Sequence, residues 1–99
     1  MFRGTTPTLR FRIPFDTSAI NVMYITIAQN GEIVLDKEKD DCVLEGETIT
    51  LRLTQADTLR LTEEYPVEIQ MRCRLHDGNA LASRTIRTTA SAILKDGEI

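Results

Sequence analysis

The chain has 99 residues, of which 41% are hydrophobic and 27% charged, enough for one compact core and too apolar for a disordered segment. A net charge of −3 argues against an obligate nucleic-acid binder. Uninterrupted apolar runs are only a few residues long, as at Ile33-Val34-Leu35 and Ala80-Leu81-Ala82, too short for a transmembrane helix or a signal-peptide core.

Alternation with a period of two dominates the chain and predicts strands. Leu9, Phe11, Ile13 and Phe15 alternate with Thr8, Arg10, Arg12 and Pro14, giving an apolar face and an outer face with two arginines. Pro7 and Pro14 bracket this strand, as expected of a strand end or edge. Ile20 to Ala28 form a second strand that is apolar on both faces, with Val22 and Tyr24 on one and Met23, Ile25 and Ile27 on the other. Such a strand is covered on both sides, by its own fold or by another chain. Asn30-Gly31 marks a tight hairpin, because a type I′ turn needs positive φ at both central residues. A third strand runs from Glu32 to Glu38, with Ile33 and Leu35 facing inward.

Asp40-Asp41 turns the chain, Cys42 to Leu44 form a short strand, and Glu45-Gly46-Glu47 turns it again. Ile49, Leu51 and Leu53 then point inward along residues 48–54. Thr54 and Asp57 have capping-box spacing, so a short helical crossover is expected from Gln55 to about Leu59. A long strand from Val67 to Leu75 turns Val67, Ile69, Met71, Cys73 and Leu75 inward and Glu68, Gln70, Arg72 and Arg74 outward. Asp77-Gly78 signals a second hairpin, and a last strand covers about Ala80 to Ala92. The expected architecture is a single domain over residues 1–99: an all-β, antiparallel, immunoglobulin-like sandwich of about seven strands with one helical crossover near residues 55–59. A small barrel is the alternative.

Chemistry is sparsely represented. Two cysteines, Cys42 and Cys73, and one histidine, His76, fall short of the four ligands of a structural zinc site. A Cys42–Cys73 disulfide and a Cys73–His76 pair are both arithmetically open, but a separation of three on a strand puts Cys73 and His76 on opposite faces. The simpler expectation is two free thiols serving as small core residues. The five glycines are isolated at turns, so no phosphate-binding loop is present, and none of the serines sits in a Gly-x-Ser-x-Gly elbow. Asp40-Asp41 and Glu63-Glu64 read as solvated turn acids. Asp36, Asp40 and Asp41 would hold calcium only against the opposing charges of Lys37 and Lys39. No enzyme activity and no cofactor are expected.

Charge is unevenly placed. Residues 32–47 hold seven acids against two lysines, whereas residues 72–87 hold four arginines against one acid. Nine of the twelve cations are arginine, the cation favoured at protein interfaces. The candidate contact residues are Arg72, Arg74 and Arg84 on the basic side and Asp36, Glu38, Asp40 and Asp41 on the acidic side, together with the surplus apolar face of Ile20 to Ala28. Two different patches meeting head-to-tail would build a ring or a filament. A solvated, internally cross-paired sheet face is the plainer alternative.

Four stretches carry a resemblance: Arg3 to Thr8 ahead of an alternating strand, Ala28-Gln29-Asn30-Gly31, the crossover Leu53 to Leu59, and Ile93-Leu94-Lys95-Asp96-Gly97. Together they resemble small β-sandwich proteins encoded by phages and prophages of Gram-positive bacteria, similar in pattern to the N-terminal domain of phage baseplate upper proteins. The resemblance implies a virion structural protein of tail or baseplate type, made in the bacterial cytoplasm and assembling with itself or with other virion proteins. Neither nucleic acid nor a membrane is expected as a partner, since the chain is acidic, no aromatic interleaves the arginines and no apolar run is long enough to span a bilayer. The alternative is a small ligand- or host-protein-binding module, although only Phe2, Tyr24 and Tyr65 remain as aromatic platforms outside the expected core.

Overall fold

The computed structural model describes all 99 residues. Strands β1 (Thr8–Arg12), β2 (Ile20–Gln29), β3 (Glu32–Glu38), β4 (Val43–Glu45) and β5 (Thr48–Arg52) are followed by helix α1 (Gln55–Leu59). Strands β6 (Val67–Leu75), β7 (Ala80–Ala82) and β8 (Ile86–Thr88) complete the chain. They form an all-β sandwich of two antiparallel sheets. One has the order β1-β5-β4, and the other β3-β2-β6-β7, with β8 also paired to β6. With β1 to β6 read as B, C, C′, D, E and F, and β7–β8 as G, these are the B-E-D and C′-C-F-G sheets of immunoglobulin order. No strand fills the first, A, position beside β1.

The alternating residues supply the core. Met23, Ile25 and Ile27 of β2 pack with Val67, Ile69, Met71 and Cys73 of β6, and Ile49, Leu51 and Leu53 close the core from the other sheet. Each fully buried Ile or Leu contributes roughly 1.5–3 kcal/mol. The crossover forms for the expected reason. Thr54 Oγ1 accepts from the Asp57 N–H at 3.0 Å, and the Asp57 carboxylate accepts from the Thr54 N–H at 2.9 Å. Asn30 and Gly31 both have positive φ, 52° and 76°, as a type I′ turn requires. The second hairpin is built differently. Gly78 alone takes positive φ, and its N–H reaches the Leu75 carbonyl at 3.0 Å, the pattern of a type I turn followed by a glycine bulge.

Two expectations need correction, and irregular pairing explains both. Ile33 does not face inward; it is 65% exposed. Ile27 pairs with Leu35 but Ala28 pairs with Ile33, so Val34 is an extra residue that reverses the alternation and packs on the core itself. The last strand is not continuous. Ser83, Arg84 and Thr85 stand opposite only Gln70 and Met71, and Ser83 Oγ takes the Met71 N–H at 3.0 Å. This bulge divides the strand into β7 and β8, raising the count to eight.

The segment before β1 is tied to the end of α1 and to the residues that follow β8. Phe2 bridges Ser91, and the Arg3 guanidinium donates to the carbonyls of Leu61 at 2.7 Å and Leu59 at 3.0 Å.

Candidate interaction surface

The outer face of the larger sheet is left open by the chain itself. Register places its residues in rows. One row runs Glu38 (β3), Tyr24 (β2), Arg72 (β6) and Ala82 (β7). Its neighbours are Val22, Arg74 and Ala80 on one side and Asp36, Thr26 and Gln70 on the other. Glu38 and Arg72 are two strands apart, about 10 Å between backbones, with the 41%-exposed Tyr24 between them. β2 is central, as its two apolar faces suggested, and its outer face has no cover.

The charged groups on this face are mostly without partners. Ion pairs join Arg3 to Asp96, Lys37 to Asp57 and Arg87 to Glu68, and none includes Arg72, Arg74, Asp36, Glu38 or Asp40. Asp36 accepts the Thr26 hydroxyl at 2.7 Å, and Asp41 is occupied in capping the Glu38 N–H at 2.9 Å. Lys39 gives its ammonium to the Ile20 carbonyl at 2.8 Å. Two shallow depressions flank the Val22–Tyr24 ridge. One, of about 290 Å³, is rimmed by Arg72 and Arg74; the other, of about 210 Å³, by Glu38, Lys39 and Asp40.

Arg84 does not join Arg72 and Arg74. It lies in the bulge between β7 and β8 and lines a groove of about 700 Å³ shared with Arg10 and Arg12. That groove separates the β1 edge of one sheet from the β7–β8 edge of the other, with an apolar floor that includes Phe11 and Met71. Arg10 and Arg12 were legible as the outer face of the first strand, but nothing in their spacing revealed that this edge would stay open.

Both cysteines are free thiols. Burial pushes the Cys42 thiol up, and Asp41 adds to this against the opposing Lys37; burial alone raises Cys73. Both are therefore protonated and weakly nucleophilic at neutral pH. Cys73 is buried on the inner face, whereas His76 is exposed in the following turn. No three His, Cys, Asp or Glu side chains converge to hold a metal ion. No helix is long and apolar enough to cross a membrane.

Neither a protein-family model nor a curated protein matches this chain. What fold and surface define is an antiparallel β-sandwich whose larger sheet bears, on its open outer face, charges of both signs without ion-pair partners.

Proposed function

We propose that this chain is a non-enzymatic structural protein of phage or prophage tail or baseplate type, assembling with copies of itself through the open face of its larger sheet. One observation carries the self-assembly: unpaired acids and unpaired arginines flank Tyr24 on the same face. A two-fold axis lying in the interface along β2 lays the Asp36, Glu38 and Asp40 strip of each copy over the Arg72 and Arg74 strip of the other. Such an isologous contact closes at two copies, unlike the head-to-tail contact that separate patches would give. The molecule measures 47 × 27 × 17 Å, so its broad face has room for the ~800 Å² per partner of a standard interface. The virion role is supported by the stretches that resemble phage sandwich proteins. The protein would be made in the bacterial cytoplasm, with itself or other virion proteins as partners. No cofactor, nucleic acid or membrane enters this reading.

Size-exclusion chromatography with light scattering, over a concentration series at two salt levels, tests the pairing. A dimer that weakens with salt is expected. A monomer at every concentration, or an open-ended series of larger species, overturns it.

A further inference from the structure

We infer that the groove between β1 and the β7–β8 edge is a docking site for an extended segment of a partner protein in which apolar residues alternate with acidic ones. This goes beyond face-to-face pairing and uses a different part of the molecule.

The backbone supplies the first reason. Leu53 N–H bonds to the Pro7 carbonyl at 2.9 Å and Ile13 N–H to the Glu47 carbonyl at 3.0 Å. With the β1–β5 register, these bonds fix which residues of β1 turn their peptide groups toward β5. Thr8, Arg10 and Arg12 turn theirs the other way, to the side on which no strand meets them, and Arg10 and Arg12 line the groove there. An unpaired edge of this kind accepts an added strand through main-chain hydrogen bonds. The position is the one that strand A takes in an immunoglobulin-type sandwich, and this chain's own leading segment is tied down elsewhere, at Ser91, Leu59 and Leu61.

Side chains supply the second. A strand added to β1 turns alternate residues inward and outward, in step with β1. Inward residues would meet Phe11, Ile13, Phe15 and Met71, with the half-exposed Leu81 and Ile86 at the opposite lip. Outward residues would stand beside Arg10 and Arg12, which are exposed and make no ion pair. Arg84 adds a third positive charge, and no Asp or Glu lines the groove. An acid facing a cation across paired strands is stabilising and a cation is not, so the occupant carries acids at its outward positions.

The test titrates ¹⁵N-labelled protein with a short synthetic peptide in which glutamate alternates with leucine and valine. The amides of Thr8, Arg10 and Arg12 are expected to shift and to exchange more slowly with solvent. A matched peptide with lysine in place of glutamate is expected not to bind. The Arg10→Glu/Arg12→Glu variant, changed only at exposed side chains, should bind the glutamate peptide about tenfold more weakly and gain affinity for the lysine peptide. Arg72→Glu/Arg74→Glu should leave peptide binding unchanged, which separates this site from the paired face. Absent binding, equal binding of the lysine peptide, or protection at β3 instead of β1 overturns the proposal. So does the same perturbation produced by protein concentration alone, which would make a second copy the occupant.

Discussion

The ammonium of Lys37 lies 2.9 Å from the carboxylate of Asp57 and ties edge strand β3 to the crossover helix α1. Lys37 stands opposite the buried Ile25, so its stem runs along the inner side of the sheet before the head reaches Asp57. Asp57 also closes the capping box with Thr54. Burial pushes its carboxyl up, but the Thr54 backbone N–H and the Lys37 ammonium outweigh this and hold it below the ordinary value. A folded value below the unfolded one means that the contribution is complete above about pH 4 and is lost as pH falls through the folded value. Asp57→Ala should cost about 1–3 kcal/mol at neutral pH. Asp57→Asn should lose less stability than the wild type between about pH 6 and about pH 3. Urea unfolding across that range checks both.

Gln29 is buried at 4% exposure where β2 ends, and its amide makes three backbone contacts. Nε2 donates to the carbonyls of Thr62 at 2.7 Å and Tyr65 at 3.0 Å, and Oε1 accepts the Thr62 N–H at 3.0 Å. The side chain thereby holds the loop that leads into β6. Gln29→Leu keeps much of the volume but strands these backbone groups, so a loss of about 2–4 kcal/mol is expected in chemical denaturation.

Gly4 and Gly31 both have positive φ, 71° and 76°, but different surroundings. A Cβ on Gly31 meets nothing within 4 Å, whereas one on Gly4 lies 3.0 Å from Ile93 Cδ1 and 3.4 Å from Leu59 Cδ2. Gly31→Ala should cost about 1–2 kcal/mol from backbone conformation alone. Gly4→Ala should cost more, because the contact joining the leading segment, α1 and the last residues must also yield. Thermal melts of the two variants side by side give the comparison.

Charge reversal gives a rescue experiment for the two-fold face. Arg72→Glu/Arg74→Glu should abolish the dimer while leaving the monomer folded, since both side chains are exposed and make no ion pair within the chain. Adding Asp36→Lys and Glu38→Lys to that variant restores opposite signs and should restore the dimer. Mixing the reversed variant with wild type should not, because only one of the two strips would then match. Light scattering reads all three.

Most of the fold was legible because burial on a strand leaves a period-two trace. β6 shows it over nine residues, and the ends of β3 and α1 fall where turn and capping residues predict. What escaped was irregular pairing. Val34 and the Ser83–Thr85 bulge depend on the partner strand, and no local property of those residues announces an extra position. Of the candidate contact residues, Arg72, Arg74, Asp36 and Glu38 do share a face, because their outward parity on β6 and β3 was readable. Asp40 borders that face from the turn after β3, and Asp41 is spent on a cap. Arg84 belongs to the groove, since its place depends on the bulge.

The ladder between β2 and β6 joins residues from forty positions apart, at Ala28 and Glu68, to fifty-five apart, at Ile20 and Leu75. This is the pairing that buries Met23, Ile25 and Ile27 against the second half of the core. While the chain is being synthesised, β2 and β3 can close their hairpin, but the inner edge of β2 stays unpaired until β6 emerges. Pairing β2 with β6 therefore closes a long loop, whose entropy must be met before the contact stabilises the fold. Refolding belongs on the millisecond-to-second timescale of all-β domains. Substitutions at the β2–β6 contact should slow folding, whereas those at β4 or β8 should mainly hasten unfolding.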